Sequence, residues 1–166
     1  VVEEKSVSEV VDKIIDKEGR IDVLVNNTGL GSAGAIEKTP IKDIRKSFDV
    51  NFFGVIRMTQ AVLPYMREQH FGRIINISTL GSMIGLPFRG FYSSSKGAMD
   101  LMTETLRLET ERFGIKACTI HPGEVRTNIA KHRIISTSTE DETYGKIVKK
   151  AFKSLDSSVE HGKDPK

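Results

Sequence analysis

The chain has 166 residues, 38% of them hydrophobic, which is long enough for one globular domain with a buried core and argues against disorder. Acidic and basic residues are interleaved, giving a net charge of +3 without a basic block that would indicate a nucleic-acid partner. No apolar stretch approaches the roughly 20 residues that span a bilayer, and no signal-peptide pattern opens the chain. With its single cysteine, Cys118, in the apolar run 115–120, the sequence predicts a soluble cytoplasmic protein without an internal disulfide and with Cys118 buried.

The N-terminal part of the sequence predicts a helix followed by a strand. Ser6 and Glu9 have the spacing of a capping box, and valines and isoleucines then recur at helical spacing, which predicts a helix over residues 7–18. Residues 21–26 form a short apolar run that predicts a buried strand.

A second helix and a second strand follow. Thr39 is the predicted N-cap and Pro40 the first helical residue, and an apolar stripe continues over residues 41–62 until Pro64 disturbs the helix end. The apolar run over residues 73–78 predicts the next strand.

The C-terminal part predicts two more helices around a third strand. Apolar residues at helical spacing predict a helix over residues 92–113, and residues 115–120 predict the third strand. Thr139 and Glu142 form a second capping box, which predicts a last helix after them.

Strands that alternate with helices and are apolar on both faces are typical of a parallel sheet covered by helices. The predicted fold class is therefore α/β, a doubly wound, Rossmann-like parallel sheet with three recognisable strands. We expect residues 1–166 to form a single partial domain, because the chain begins at a crossover helix and three strands make a small sheet.

Polar residues follow the first and third predicted strands, at the carboxyl edge where open α/β sheets bind ligands. Asn26, Asn27 and Gly29 follow the first strand, although Asn and Gly also dominate ordinary turns. The third strand ends in His121-Pro122-Gly123, and a Pro-Gly pair usually marks a plain turn. The four histidines have neither metal-ligand spacing nor a nucleophile motif beside them, so we predict no metal site.

Asn51 lies on the apolar stripe of the second predicted helix, between Phe48 and Val55. A buried amide without partners costs about 1–3 kcal/mol, so a polar group must meet it. Either the amide bonds to a neighbouring carbonyl, or the amide or a freed carbonyl holds a water molecule in a site.

Tyr92 and Lys96 place a phenol and an ammonium one helical turn apart on the same helix face. A nearby cation lowers the pKa of a phenol, so such a pair can donate and accept a proton. The spacing alone arises by chance about one time in four in a chain of this composition. Thr79, at the end of the second strand, adds a hydroxyl that could donate to a substrate oxygen, although Thr is also common in plain turns.

Taken in chain order, these motifs resemble the short-chain dehydrogenase/reductase family over about residues 5–130. Five segments carry the resemblance: Asn26-Asn27-Thr28-Gly29, Asn51 in Asp49–Gly54, Ile77-Ser78-Thr79, Tyr92-x-x-x-Lys96, and Pro122-Gly123-x-Val125-x-Thr127. The resemblance implies an enzyme that transfers a hydride between NAD or NADP, with NADP slightly favoured, and a small carbonyl or alcohol substrate.

The resemblance also implies a role for each motif. Tyr92 is the general acid/base, Lys96 lowers its pKa and binds the nicotinamide ribose, and Asn51 fixes a water that links Lys96 to solvent. Thr79 aligns with the family's substrate-orienting serine, whereas Ser78 lies one residue too early and points the other way. The implied cofactor contacts are Asn26, Asn27, Gly29, Tyr92, Lys96, Pro122, Gly123, Val125 and Thr127.

Some features of the family are not found in this sequence, and alternatives remain. The Gly-rich phosphate loop of the family should precede Asn26 by about 60 residues or more, and Gly31 and Gly34 do not replace it because they follow the wrong strand. We therefore also consider a non-catalytic dinucleotide-binding regulator and an inactive, poorly soluble fragment of the enzyme.

The resemblance implies a homo-oligomer, a dimer or tetramer that pairs through the helices carrying Asn51 and Tyr92. Met99, Leu101 and Met102 are the expected surface for this contact. The substrate stays open, since the family's specificity lies in the segment after Thr127.

Overall fold

The computed structural model describes residues 1–126, 133–136 and 139–164. Its helices and strands are, in chain order, α1 (Glu4–Glu18), β1 (Val23–Asn26), β2 (Ser32–Ala33), α2 (Ile41–Phe48), α3 (Gly54–Glu68), β3 (Gly72–Ile77), α4 (Gly90–Thr110), β4 (Ile115–Ile120), β5 (Ile134–Ile135) and α5 (Gly145–Glu160). A π-helical segment, Asp49–Phe53, joins α2 to α3. The alternation of strands and helices confirms the predicted α/β fold.

The main sheet has three parallel strands in the order β1-β3-β4. Asn26 at the end of β1 lies opposite Asn76 of β3, which in turn lies opposite Thr119 of β4. Because the strands run parallel, their carboxyl ends meet at one edge, as predicted. A second, two-stranded parallel sheet pairs β2 with β5 and was not predicted.

The hydrophobic core lies on one face of the main sheet. Leu24, Ile74, Ile115 and Ala117 point from the strands into a cluster with buried residues of α1, α3 and α4. The strongest burial in this cluster falls on Met66 and Ile74, which are fully buried. Each fully buried side chain of this size contributes about 1.5–3 kcal/mol, so packing on this face stabilises the sheet.

The opposite face of the sheet carries apolar side chains that are exposed within the described residues. Val23 and Val25 of β1 are 48% and 53% exposed. Cys118, predicted to be buried, is exposed because side chains alternate along β4 and it shares this open face.

Three predicted helix starts are wrong. α1 begins at Glu4, so Ser6 lies inside the first turn and caps nothing. Pro40, not Thr39, is the N-cap of α2, and the Thr39 hydroxyl donates to the carbonyl of Ala35. The last helix begins at Gly145 rather than beside the predicted box of Thr139 and Glu142, after a turn that the carboxylate of Asp141 stabilises by accepting from two backbone N–H groups.

The predicted helix over residues 41–62 is interrupted by the π-helical segment and extends beyond Pro64 to Glu68. A π turn inserts one residue and shifts the phase of the helix, which directs Asn51 into the interior, where it is fully buried. π turns of this kind are frequent at functional sites.

No helix within the described ranges is both long and apolar enough to cross a membrane.

Candidate active site

Asn51 connects three parts of the chain. Its Oδ1 accepts from the backbone N–H of Leu30 at 2.7 Å, and its Nδ2 donates to the carbonyl of Leu30 at 2.9 Å and to Ser95 Oγ at 3.1 Å. A longer contact of 3.5 Å reaches Ser47 Oγ. The sequence left open whether this amide bonds to a neighbouring carbonyl or holds a water. In the structure it bonds to the Leu30 carbonyl and fixes the loop after β1 against α4.

Lys96 is a buried cation at the edge of the sheet. Its side chain is on α4, is only 3% exposed, and donates from Nζ to the carbonyl of Ile77, the last residue of β3, at 2.7 Å. A Cβ placed on Gly29 would lie 3.6 Å from Lys96 Nζ and 3.7 Å from Asn51 Oδ1. Burial lowers the pKa of Lys96 to about 8, and the negative charge of Asp100 acts in the opposite direction.

Tyr92 lies one turn before Lys96 and is 7% exposed. Its hydroxyl forms no hydrogen bond with the part of the chain that the structure describes. Burial raises the pKa of Tyr92; the cations Arg89 and Arg133 oppose this shift and Glu124 adds to it. The expectation that Lys96 lowers this pKa is not met here, because desolvation dominates and the ammonium is bonded to Ile77.

Thr79 and Ser78 point in different directions, as expected for consecutive residues of an extended strand. The Thr79 hydroxyl accepts from the backbone N–H of Gly81 at 3.3 Å, which leaves its own proton free to be donated. Ser78 is buried and faces Ser82, 3.4 Å away between hydroxyl oxygens. The hydroxyl available at the end of β3 is thus that of Thr79.

The two asparagines after β1 differ in environment. Asn26 is 8% exposed, and its Nδ2 donates to Asn76 Oδ1 at 2.8 Å, so its side chain stabilises the interior. Asn76 in turn donates to Thr103 Oγ1 of α4 at 2.8 Å. Asn27 is exposed at the strand edge beside Gly29. A cofactor at this edge would meet Asn27 and Gly29 rather than the amide of Asn26.

The segment after β4 approaches the same edge. Pro122 is half-buried and Gly123 exposed, and Leu80, next to Thr79, is the nearest neighbour that a Cβ on Gly123 would meet, at 3.9 Å. Val125 forms a parallel bridge with Lys163. Thr127, the last predicted cofactor contact, lies outside the described residues.

Two groups near the predicted site were not assigned a role from the sequence. The Arg89 guanidinium lies over the Tyr92 ring, 5.2 Å from its centroid, and its position three residues before Tyr92 was the available signal. His121 contacts Asp100, with 3.0 Å between Nε2 and Oδ2, and Asp100 follows Lys96 by one helical turn. No group of three metal-ligating side chains occurs within the described ranges.

The fold and these contacts define a class: a Rossmann-like α/β domain whose strand edge carries a buried ammonium, a phenol without a hydrogen-bond partner among the described residues, and a strand-end hydroxyl. A model of the short chain dehydrogenase family matches residues 1–137. The chain belongs to the short-chain dehydrogenase family.

The relatives of the chain agree with this assignment. It is 41% identical over 162 residues to a 3-ketodihydrosphingosine reductase from Bacteroides thetaiotaomicron, covering 97% of this chain and 60% of that protein. It is 35% identical over 159 residues to the probable short-chain type dehydrogenase/reductase VdlC from Helicobacter pylori, covering 96% of this chain and 58% of that protein. The chain thus spans about three-fifths of the length of these curated relatives.

Solved structures match the fold. A short-chain dehydrogenase from Streptomyces avermitilis superposes with a TM-score of 0.83 and 32% identity, covering 99% of this chain and 59% of that one. A gluconate 5-dehydrogenase from Burkholderia cenocepacia, in complex with NADP and tartrate, superposes with a TM-score of 0.75 and 28% identity, covering 87% of this chain and 54% of that one. An NAD⁺-bound xylitol dehydrogenase superposes with a TM-score of 0.74 and 27% identity, covering 93% of this chain and 62% of that one. Of these structures, one thus holds NADP and another NAD⁺.

Proposed function

We propose that the whole protein containing this chain is an NAD(P)-dependent oxidoreductase that interconverts a carbonyl and an alcohol, with Tyr92 as general acid/base. The observation that carries the proposal is the buried Lys96 ammonium, which donates to the carbonyl of Ile77 at 2.7 Å and lies one helical turn from Tyr92, whose phenol has no hydrogen-bond partner within the described ranges. Such a pair, at the carboxyl edge of parallel strands, is suited to move a proton to or from a substrate oxygen.

The residues at this edge fit a nicotinamide cofactor. A Cβ built on Gly29 would lie 3.6 Å from Lys96 Nζ, and Asn27 and Gly123, which follow strands that end at this edge, are exposed. Lys96 and Tyr92 would bind the ribose, while Asn27, Gly29, Pro122, Gly123, Val125 and Thr127 would line the remainder of the cleft. The cofactor, when bound, supplies the hydride donor or acceptor.

Each remaining side chain then acts on the substrate oxygen or on the position of another group. Tyr92 donates its proton to the oxygen in the direction of reduction and removes it in the direction of oxidation. Thr79, whose hydroxyl proton is free, donates a hydrogen bond to the same oxygen as charge develops on it. Asn51 bonds to the Leu30 backbone and to Ser95, and in this proposal a main-chain carbonyl of its π-helical segment would hold a water that connects Lys96 to solvent.

The likeness to a 3-ketodihydrosphingosine reductase supports an apolar ketone as a first substrate to test. Exposed apolar side chains follow β3 beside Thr79, where Leu80 is 53%, Met83 65% and Ile84 59% exposed. Long-chain keto substrates could pack on such a surface. The location in the cytoplasm, the homo-oligomer and the preference for NADP over NAD remain part of this proposal.

The test is cofactor oxidation by the whole protein with a panel of carbonyl compounds, comparing wild type with Tyr92→Phe. We expect Tyr92→Phe to lose at least about 10²-fold in kcat while retaining cofactor binding, since only the proton-transfer group is removed. Tyr65→Phe is the matched control, because the Tyr65 hydroxyl donates to Asp12 on the surface and should leave kcat unchanged. An equally fast Tyr92→Phe would refute the mechanism, and tight cofactor binding without turnover on any substrate would favour the non-catalytic regulator.

Two of the three residues expected to form the contact surface between subunits are not exposed. Met99 is fully buried and Met102 packs partly against the core, so neither offers an open contact surface. Leu101, the third residue of the expected surface, is 67% exposed, and Leu108, two turns further along α4, is 68% exposed. The helix pairing that we propose for the oligomer would use these leucines.

A further inference from the structure

Two ionisable side chains near Lys96, Asp100 and His121, have no part in the mechanism above. Asp100 is on α4 one turn after Lys96 and two turns after Tyr92, so all three share a helix face. His121 directly follows β4, and its Nε2 lies 3.0 Å from Asp100 Oδ2. Both side chains are mostly buried, with 17% of Asp100 and 19% of His121 exposed.

The two oxygens of the Asp100 carboxylate have different partners. Oδ2 contacts His121, whereas Oδ1 is buried and has no hydrogen-bond partner within the described residues. A partly desolvated carboxylate is costly unless a charge or hydrogen bond compensates for it. His121 supplies one contact, and the nearby cation on the same helix face is Lys96.

The surroundings of Lys96 make Asp100 its main source of negative charge. The groups that meet the ammonium from β3 and from the loop after β1 are neutral: the carbonyl of Ile77, the backbone at Gly29 and the amide of Asn51. Tyr92 on its own helix is a neutral phenol at physiological pH, since burial raises its pKa. In the described part of the chain, Asp100 is the charged group that acts on the Lys96 ammonium, against the effect of burial.

We propose that Asp100, held in place by His121, is a positioning residue whose carboxylate keeps Lys96 charged in the proposed active site. The inference rests on the proposed function for the importance of Lys96, but not for the interaction itself. Neither Asp100 nor His121 touches the substrate oxygen in this arrangement, and both act through Lys96.

The effect matters because the pKa of Lys96 is about 8, close to physiological pH. At pH 7 a lysine with this pKa is about nine-tenths charged, and any further decrease removes the ammonium from a large fraction of the molecules. The ammonium is the form that can donate to Ile77 and to ribose hydroxyls at the same time. Loss of Asp100 should therefore lower the charged fraction of Lys96 most clearly above pH 7.

The direct test is a pH titration of Lys96 by NMR, using lysine labelled with ¹³C at Cε in the whole protein without substrate. Lys96→Arg assigns the resonance. In Asp100→Asn, which keeps the size and a polar contact to His121, we expect the Lys96 midpoint to move to lower pH by about half a unit, as for one opposite charge a helical turn away. A midpoint that does not move would overturn the proposal.

Further variants separate charge from packing. Asp100→Glu keeps the charge and should leave the midpoint near that of wild type, and Asp100→Ser replaces Asp100→Asn if the latter does not fold. Glu104→Gln is the matched control, since it removes an exposed acid one turn further along α4 and should have no effect. A Lys96 midpoint that moves equally in Glu104→Gln would contradict a specific role for Asp100.

The pH profile of kcat/KM gives the second readout. The alkaline limb should begin at lower pH in Asp100→Asn, with the rate recovered at lower pH, whereas a merely structural defect would lower the whole profile. If Tyr92→Phe proves fully active, the proposed function fails while the NMR titration still decides this inference. If Tyr92→Phe is inactive and the Lys96 midpoint is unmoved in Asp100→Asn, only the inference fails.

Discussion

The two sides of the candidate site are built differently. On one side, Asn51, Ser95 and Lys96 are fully or almost fully buried and direct their polar atoms to the backbone and to each other. On the other side, Tyr92 has no hydrogen-bond partner in the described structure, and Thr79 uses only the acceptor function of its hydroxyl. We call these the closed side and the open side of the site.

The difference indicates a division of work. Hydrogen bonds on the closed side already exist without substrate, so they contribute to stability and fix the geometry in advance. Groups on the open side have unused hydrogen-bonding capacity, which contributes little to folding and is available to a reacting oxygen. Substitutions on the open side should therefore change catalysis without much change in stability, and those on the closed side should change the free energy of unfolding.

The largest expected effect is that of Thr79→Val on the open side. Removing a donor to a developing oxyanion typically lowers kcat by about 10²- to 10³-fold, equivalent to about 2.7–4 kcal/mol. The free energy of unfolding should fall by no more than about 1 kcal/mol, the loss of one capping bond to Gly81. Steady-state kinetics and urea unfolding of the whole protein measure the two quantities.

Two controls sharpen this prediction. Thr79→Ser keeps the hydroxyl and should remain within about tenfold of wild type. Ser78→Ala removes the neighbouring hydroxyl, which faces Ser82 in the interior, and should leave kcat unchanged. If Ser78→Ala were the variant with the large kinetic loss, the assignment of the hydroxyl to Thr79 would be wrong.

The second largest expected effect is the pH dependence of the unfolding free energy caused by Lys96, a residue of the closed side. Burial lowers its pKa to about 8 from 10.5, so the folded protein loses this proton at lower pH than the unfolded chain. Between these two values the unfolded chain binds more protons, and the free energy of unfolding therefore rises with pH. Burial of the charged Lys96 thus destabilises the fold by about 3 kcal/mol below pH 8, and this penalty is lost progressively as the pH rises from 8 to 10.5.

Lys96→Met should remove that rise. The measurement is urea unfolding at several pH values from 7 to 10, taken as the difference between wild type and Lys96→Met so that other groups cancel. Lys13→Met, at an exposed position of α1, is the matched control and should keep the wild-type slope. Identical slopes for wild type and Lys96→Met would show that Lys96 is not a buried cation.

Asn51→Ala comes third. It leaves the N–H and carbonyl of Leu30 without their partners. An unsatisfied buried group costs about 1–3 kcal/mol, and since Leu30 is only partly buried we take about 1 kcal/mol for each group, a loss of about 2 kcal/mol in unfolding free energy. Ser47→Ala removes the 3.5 Å contact to Asn51 and a 3.2 Å hydrogen bond to Ser32 Oγ, but it leaves both Leu30 bonds in place and should cost no more than about 1 kcal/mol. Equal losses in the two variants would mean that the Leu30 bonds do not hold the closed side together.

The sequence predicted the order of the main-sheet strands and of the helices around them, and the edge at which the strands end, because both follow from local patterns. The apolar run of β4 gave its bounds correctly, since Gly114 ends the preceding helix with a positive φ of 72° that other residues rarely adopt. A side chain at Gly114 would also clash with the carbonyl of His70. Such signals lie within a few residues and need no knowledge of tertiary contacts.

What the sequence did not predict depends on long-range packing. A π turn shifts the helical phase by one residue, and nothing in Asp49–Phe53 distinguishes it from an ordinary helix. The exposure of Cys118 depends on which sheet face the helices cover, and the contact of His121 with Asp100 joins residues 21 apart in sequence. The partners of Asn51 likewise depend on a loop 21 residues away.

The smallest expected effect, that of Arg89→Met, returns to the open side. The Arg89 cation lies 5.2 Å from the centroid of the Tyr92 ring and lowers the pKa of Tyr92 against the effect of burial. Without it the pKa of Tyr92 rises further, so the limb of the oxidation profile that requires the phenolate should move to higher pH. A cation over a ring contributes about 0.5–1 kcal/mol, so the rate at a fixed pH should fall by less than about fivefold.

Arg89→Lys should retain most of the effect, because it keeps the charge. A shift toward lower pH in Arg89→Met would show that Arg89 does not act on the phenol, and an unchanged unfolding free energy is expected because the open side does not hold the fold.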